Sequence, residues 1–273
     1  MYKVYGKKFK QIRTQKRLPL SFFQQVGVDK SDLSKFERGK QMMGFERIDA
    51  MLQLMDVSLA EYELIINNFV PDFQEAFLNE IDQADFSQNI NKLKSLYEEA
   101  QDSGYLLLAL AAKSRFEQLN HSEIELVLER LYKVQEWGYF ELSITYFVLD
   151  NLPTSAIQTL FNEFEQKNGN YYGIPKYSRR ILQTAYRAIV ILGKRKEKEF
   201  VNQIISATDK RSKSGIDIYI ENLRRLTLGV NCYYFENQEQ GLAQIDKALE
   251  LFKILEHEEL ADYYTKKIKN YIQ

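Results

Sequence analysis

The sequence predicts an all-α protein, and three observations carry that prediction. Only four of its 273 residues are proline and twelve are glycine. Leu, Ile, Lys, Glu and Gln are frequent, which favours helices joined by short connections. Apolar residues recur at helical spacing, as in Tyr5, Phe9 and Ile12 at i, i+4 and i+7. The 45% hydrophobic and 27% charged fractions place the chain among soluble globular proteins. Its length suits one large domain, or a small one followed by a larger one. No apolar run approaches the roughly 20 residues needed to span a bilayer, and the start "MYKVYGKKFK" lacks an apolar signal core. No membrane partner is therefore expected. The single Cys232 excludes an internal disulfide framework and points to a reducing cytoplasm.

The net charge of -1 conceals an asymmetry. Residues 1–40 hold eleven Lys/Arg (3, 7, 8, 10, 13, 16, 17, 30, 35, 38, 40) against Asp29, Asp32 and Glu37. A basic head on an acidic body suggests a polyanion-binding N-terminus, or else a merely solvated basic face.

Each element of the head follows from local signals. The Tyr5, Phe9, Ile12 stripe predicts a helix over Val4–Lys16. Pro19 suits the start of a short second helix, Leu20–Gln25, with Phe22 and Phe23 available to a core. Gly27 suits a turn of positive φ, and Asp29 or Ser31 can cap the third helix, Lys30–Arg38. In that helix Leu33 and Phe36 point one way. Ser31, Ser34, Lys35 and Arg38 lie on another face, and Gly39 occupies the C′ position. "FERIDAMLQLM" makes a fourth helix, and Ser58 with Glu61 at N3 opens a fifth.

Two short helices around a glycine turn form a helix-turn-helix arrangement. The stretch "QIRTQK…FFQQVGVDKSDLSKFERGK" resembles the DNA-binding domain of the Cro/C1-type helix-turn-helix family. Ile12, Arg13, Phe22, Gly27, Val28, Leu33, Ser34, Phe36, Glu37, Arg38 and Gly39 carry the match. Two departures concern the second helix: Phe23 stands where the family usually has alanine, and the preceding loop is one residue short. The resemblance implies that Lys30, Ser31 and Lys35 read base edges in the major groove, with Asp32 and Ser34 beside them. Arg38, Lys40, Lys16 and Arg17 would hold phosphate, fixing register without reading sequence. A phosphate would repel Glu37. The family pattern implies instead that Glu37 pairs with Arg13 and ties two helices together. A head used only for protein contacts is the alternative.

"NFVPDF" marks the joint, because Pro71 disfavours helix at Val70, and Asp72 or Pro71 can start the next one. The expected division is a DNA-binding domain over 1–68 and a second domain over 69–273. Helices are predicted near 72–83, 86–101, 105–120, 122–135, 139–151, 153–167, 175–194, 197–208, 214–236, 238–255 and 258–271. Ser122 with Glu125 reads as a capping box, and "KNGNYYGIP" is the clearest turn cluster. Eleven helices with short loops pack as antiparallel pairs, and a run of such pairs is a solenoid. Leu228, Gly229, Gly241, Ile245 and Ala248 fall at the tetratricopeptide spacing, with Cys232 where tyrosine is expected.

The fold class expected is thus all-α: a five-helix Cro/C1-type head followed by a tetratricopeptide-like helical solenoid. That combination resembles the Rgg-type regulators, within the cytoplasmic peptide-pheromone receptors of Gram-positive bacteria. The resemblance implies a homodimeric transcription regulator that binds a double-stranded DNA operator. Its helical domain would bind a short signalling peptide. No cofactor is implied.

An extended peptide needs backbone partners and apolar pockets. Asn231 is a candidate, since asparagine offers both a donor and an acceptor, and Arg224 shares its helix face. Asn222 lies roughly 180° around the same helix, so at most one of the two should face a groove. Tyr186, Arg187 and Tyr146 complete the candidates. Each could equally be an ordinary surface or half-buried residue. Leu260, Tyr263, Tyr264 and Ile268 could cap the solenoid or pair across a dimer axis.

Patterns that carry catalysis are missing from the sequence: no Cys-x-x-Cys, no His-Glu-x-x-His and no glycine-rich loop ending in Gly-Lys-Ser/Thr. Cys232 reads as a core thiol, and His121 and His257 as helix-end residues. The chain is expected to be no enzyme. A regulator whose helical domain only dimerises or binds another protein, or a scaffold with a vestigial head, are the other readings.

Overall fold

The computed structural model describes residues 3–167, 169–209 and 217–272. These residues form two compact units, 1–76 and 77–273. The division falls in the first turn of the helix that follows Pro71. No helix among the described residues is long and apolar enough to cross a membrane.

The first unit contains α1 (Lys3–Gln15), a 3-10 helix (Leu20–Val26), α2 (Lys30–Glu37), α3 (Phe45–Gln53) and α4 (Leu59–Ile66). Phe9 is fully buried and meets the rings of Phe23 and Phe36 at 5.6 and 5.7 Å between centroids. Gly6 lets α1 press onto α2, because a Cβ there would lie 1.8 Å from the Phe36 carbonyl oxygen. Gly27 and Gly39 take φ of 72° and 67°. Gly39 closes α2 in a Schellman motif: its N–H donates to the Phe36 carbonyl at 2.8 Å, and Lys40 N–H to that of Lys35 at 2.9 Å. Ser58 and Glu61 cap α4 reciprocally at 3.1 and 2.8 Å.

One element differs in kind from expectation. Leu20–Val26 winds as a 3-10 helix of 7 residues, longer than the three or four that such runs usually reach. Phe22 and Phe23 are consecutive there and meet edge to face, with Phe23 inside the core. Asp29 precedes α2 as expected, but its side chain makes no capping bond.

The second unit is a helical solenoid. Its helices are α5 (Phe73–Phe86), α6 (Ile90–Asp102), α7 (Leu106–Lys113), α8 (His121–Lys133), α9 (Tyr139–Val148), α10 (Thr154–Lys167), α11 (Pro175–Lys194), α12 (Lys198–Asp209), α13 (Ile218–Phe235), α14 (Gln238–Ile254) and α15 (Glu258–Lys269). Asp72 caps α5 by accepting from Glu75 N–H at 3.0 Å. Gly229 and Gly241 bring α13 against α14. A Cβ on Gly241 would lie 2.4 Å from the Tyr233 backbone nitrogen, and one on Gly229 would lie 3.0 Å from Ile245. The two small residues of the tetratricopeptide spacing are therefore helix-contact positions. Residues 214–216 of the predicted 214–236 helix, and Asn168 of the turn cluster, lie outside the described residues.

Several boundaries correct the sequence expectation. The capping box of α8 is Asn120 with Glu123, at 3.0 and 2.9 Å, instead of Ser122 with Glu125. Ser122 Oγ donates to Asn120 Oδ1. The expected 105–120 helix ends at Lys113. Just beyond it, Arg115 donates to the Phe147 carbonyl at 3.0 Å, and Leu119 N–H to Asn151 at 2.8 Å. Backbone N–H groups as far as Glu117 still bond three or four residues back, and the Leu119 N–H leaves that pattern for Asn151.

Candidate functional site

In the first unit, Arg13 and Glu37 are both buried and form a two-pronged ion pair. Nε donates to Oε1 at 2.5 Å and Nη2 to Oε2 at 2.9 Å. Arg13 Nη1 also donates to the Leu18 carbonyl at 2.6 Å. Guanidinium and carboxylate match as planar forks, so the pair fixes α2 against α1 and the turn after it. Lys30, Ser31, Lys35, Arg38, Lys40, Lys16 and Arg17 are exposed, whereas Asp32 and Ser34 are half-buried. Lys35 Nζ lies 3.2 Å from Asp32 Oδ1. Arg38 Nε donates back to the Ser34 carbonyl at 3.0 Å. Polar and cationic groups thus occupy the outward side of α2, while Leu33 and Phe36 fill the core.

In the second unit, a pocket opens between α9, α11, α13 and α15. Tyr146 comes from α9, and Tyr186, Arg187 and Val190 from α11. Leu223 and Leu226 on α13, and Lys267 and Ile268 on α15, form the facing walls. A broader cleft adjoins it through Tyr146, Gln183, Tyr263 and Tyr264, and reaches Asp82 on α5 and Arg180 on α11. Only odd-numbered helices contribute. In a stack of antiparallel pairs, every second helix faces the same side.

Behind the cavity wall runs a chain of charges. Asp85 Oδ2 accepts from Arg115 at 2.9 Å and from Tyr263 at 2.7 Å, and Oδ1 from Lys267 at 3.2 Å. Asp150 accepts from Arg115 at 3.1 Å, and also from Arg187 and Tyr271. Burial pushes the Asp85 carboxyl up, but the charges of Arg115, Lys267 and Arg187 outweigh it and hold it at about 2. Asp150 is held below the usual carboxylate range in the same way. Burial, and then Arg115, pull the Lys267 ammonium down to about 8. The Arg187 guanidinium lies 5.1 Å from the Tyr146 ring centroid.

The structure brings three of the six peptide-binding candidates, Tyr146, Tyr186 and Arg187, into one cavity wall. The other three lie elsewhere. Asn222 is buried against α14, where its amide donates to the Ala248 carbonyl at 2.9 Å. Asn231, one turn beyond Thr227, is buried outside the lining. Arg224 pairs with Asp209 at 2.8 Å. Asn231 and Arg224 thus stand outside the lining of this pocket. Sequence reasoning missed Asp85, Arg115, Asp150 and Lys267, whose partners are far away in the chain. Tyr263 and Tyr264 wall the cavity, and Tyr264 Oη lies 2.7 Å from Tyr219 Oη.

The fold is that of the SHP pheromone receptor Rgg2 of Streptococcus dysgalactiae. The TM-score is 0.80 at 17% identity, over 97% of this chain and 99% of that one. A bacterial peptide pheromone/receptor complex superposes with a TM-score of 0.69 at 14% identity, over 98% of each chain. ComR from S. thermophilus, in complex with DNA and its signalling peptide ComS, gives 0.63 at 12% identity, over 97% and 99%. These likenesses are of fold. The sequence itself matches the family described as "HTH-type transcriptional regulator Rgg, C-terminal domain" over residues 76–266. The chain belongs to the Rgg family of helix-turn-helix transcriptional regulators.

Proposed function

We propose that this chain is a homodimeric, sequence-specific DNA-binding regulator set by a short signalling peptide, and that it works in the cytoplasm as no enzyme. Residues 1–68 would bind the operator, and residues 69–273 the peptide and the second copy. The observation that carries the reading is the combination within one chain. A helix-turn-helix head holds Lys30, Ser31 and Lys35 exposed at and near the start of α2. A cavity in the solenoid draws its walls from four helices spread over Tyr146 to Tyr271. The similar Rgg2 is named a pheromone receptor, and ComR was seen with DNA and a signalling peptide; both support it.

Lys30, Ser31 and Lys35, with Asp32 and Ser34, would meet base edges, while Lys16, Arg17, Arg38 and Lys40 would hold phosphate. Peptide in the cavity would touch α9, α11, α13 and α15 together and favour one packing of them. A ligand shifts such an equilibrium only by its differential affinity for the two states. In a dimer the readout is the placing of two heads on half-sites about 34 Å apart, or a multiple of that.

Fluorescence anisotropy tests this. Full-length protein is titrated onto DNA from upstream of its own gene at fixed salt, with and without a peptide fraction from the source culture. The expected result is saturable binding whose midpoint moves with the fraction. Binding that ignores every peptide fraction would assign the solenoid to dimerisation or to a protein partner.

A further inference from the structure

The cavity between α9, α11, α13 and α15 carries unequal charge. Two cations, Arg187 and Lys267, stand in its wall, and no carboxylate does. Counting the groups behind the wall does not restore balance. Arg115, Arg187 and Lys267 are three positive charges against two negative ones, Asp85 and Asp150. Asp82 does not close the gap, because it is matched by Arg180. The cluster therefore holds a net +1.

Both carboxylates are already engaged. Each oxygen of Asp85 and of Asp150 accepts at least one bond from an arginine, a lysine or a tyrosine. The cations have donors to spare. Lys267 Nζ carries three N–H groups, and Asp85 Oδ1 is its acceptor here. Tyr186 is 4% exposed, lines the same cavity on the side of Arg224, Glu221 and Asp209, and its hydroxyl has no hydrogen-bond partner. A buried hydroxyl without a partner is costly, and a ligand acceptor would satisfy it. Beside these polar groups the walls are apolar: Val190, Leu223, Leu226 and Ile268.

We infer that this cavity seats a carboxylate of the ligand against Lys267 and Arg187, with the neighbouring apolar part of the ligand on Val190, Leu223, Leu226 and Ile268. The inference rests on the peptide reading above and specifies the peptide's chemistry. The carboxylate is either the peptide's C-terminus or an Asp or Glu side chain. It would bring the cluster to charge neutrality and accept from the Lys267 ammonium.

The test is affinity selection by the full-length protein from two synthetic libraries of linear heptapeptides, one with free and one with amidated C-termini. Retained peptides are then titrated by calorimetry. Retention from the free-acid library alone supports a terminal carboxylate. Retention from both, with Asp or Glu enriched at one position, supports a side chain. For those peptides Lys267→Met should weaken binding by about tenfold or more, and Lys267→Arg by far less. Tyr186→Phe should keep the melting temperature and lose a few-fold in affinity, which separates ligand contact from folding. Equal retention of amidated peptides lacking any acid, or unchanged binding by Lys267→Met, overturns the carboxylate seat and leaves the peptide reading standing. Retention of nothing from either library overturns both.

Discussion

Tyr263 Oη donates to Asp85 Oδ2 at 2.7 Å across 178 residues of chain, bonding the last helix of the solenoid to its first. Lys267 joins the same carboxylate, and Lys266 Nζ donates to Gln88 at 2.9 Å nearby. A stack whose ends meet is held by more than neighbour contacts. Asp85→Ala would leave Arg115, whose side chain is 2% exposed, without one of its two carboxylates. Removing one partner of a buried ion pair costs about 3–5 kcal/mol. Tyr263→Phe removes one hydrogen bond to a charged group, worth about 1.5–3 kcal/mol. Urea unfolding followed by Trp137, the single and buried tryptophan of this unit, should rank the two in that order.

The same cluster sets a dependence on pH in both directions. The Asp85 carboxyl lies at about 2 in the fold against an ordinary 3.8. Its contribution is fully present above the ordinary value and is lost as pH falls through about 2. Lys267 acts with the same sign, at higher pH. Its folded value of about 8 lies below the ordinary 10.5, so between these values the unfolded chain binds more protons and stability rises with pH. The tyrosines Tyr263 and Tyr264, raised above 10.0 by burial, oppose this at higher pH. The window that isolates Lys267 is therefore pH 8 to 10. Lys267→Met should flatten the denaturation midpoint there, and a slope identical to wild type would place the titration elsewhere.

In the head, the Arg13–Glu37 pair predicts a different kind of loss. Arg13→Ala would leave Glu37, 7% exposed, as an unpaired buried charge, at a cost of about 3–5 kcal/mol. Replacing both members, Arg13→Met with Glu37→Leu, should recover much of it, because no charge is then stranded. Hydrogen exchange in α1 and α2 reports this. Trp137 fluorescence should stay silent, since that residue belongs to the other unit.

What could be read in the chain, and what could not, follows the range of the interactions. Gly39 at C′, the Ser58–Glu61 box and the Phe9 stripe are decided by neighbours within a turn, and the spacing exposes them. Local rules fail where two patterns overlap. Asn120–Glu123 and Ser122–Glu125 both fit a capping box, and the fold uses the first. They fail again at residues 114–120, where Arg115 leaves the helix to reach Asp85 and Asp150. The cavity was legible at Tyr146, Tyr186 and Arg187 only. Lys267 meets Asp85 across 182 residues, and nothing on either helix alone distinguishes these residues from solvated charges.

The approach of α13 to α14 gives a steric prediction. A Cβ at Gly241 would lie 2.4 Å from the Tyr233 backbone nitrogen and 2.6 Å from its Cα, neither of which can swing aside. Gly241→Ala should therefore destabilise the unit by about 1–3 kcal/mol, the usual range for overpacking. Gly173 is the control. Nothing lies within 4 Å of a Cβ there, and Gly173→Ala should stay within about 0.5 kcal/mol of wild type. Thermal melts of the two variants make the comparison.

On DNA, the proposed division of labour along α2 predicts two distinguishable losses. Lys35 lies 3.2 Å from Asp32, with the two side chains 46% and 36% exposed. An ion pair this exposed is worth at most about 1 kcal/mol, so Lys35 can leave it cheaply for a base edge. Lys35→Ala should weaken binding to the cognate site by about 1–3 kcal/mol and relax selectivity at one base pair. Lys16, exposed just after α1, should behave as a phosphate contact. Lys16→Ala should weaken cognate and random DNA alike, and lower the slope of log affinity against log salt by about one. Salt titrations of both variants on cognate and scrambled duplexes separate the roles. Equal losses on the two duplexes for Lys35→Ala would move that residue to the backbone and leave Lys30 and Ser31 to read the site.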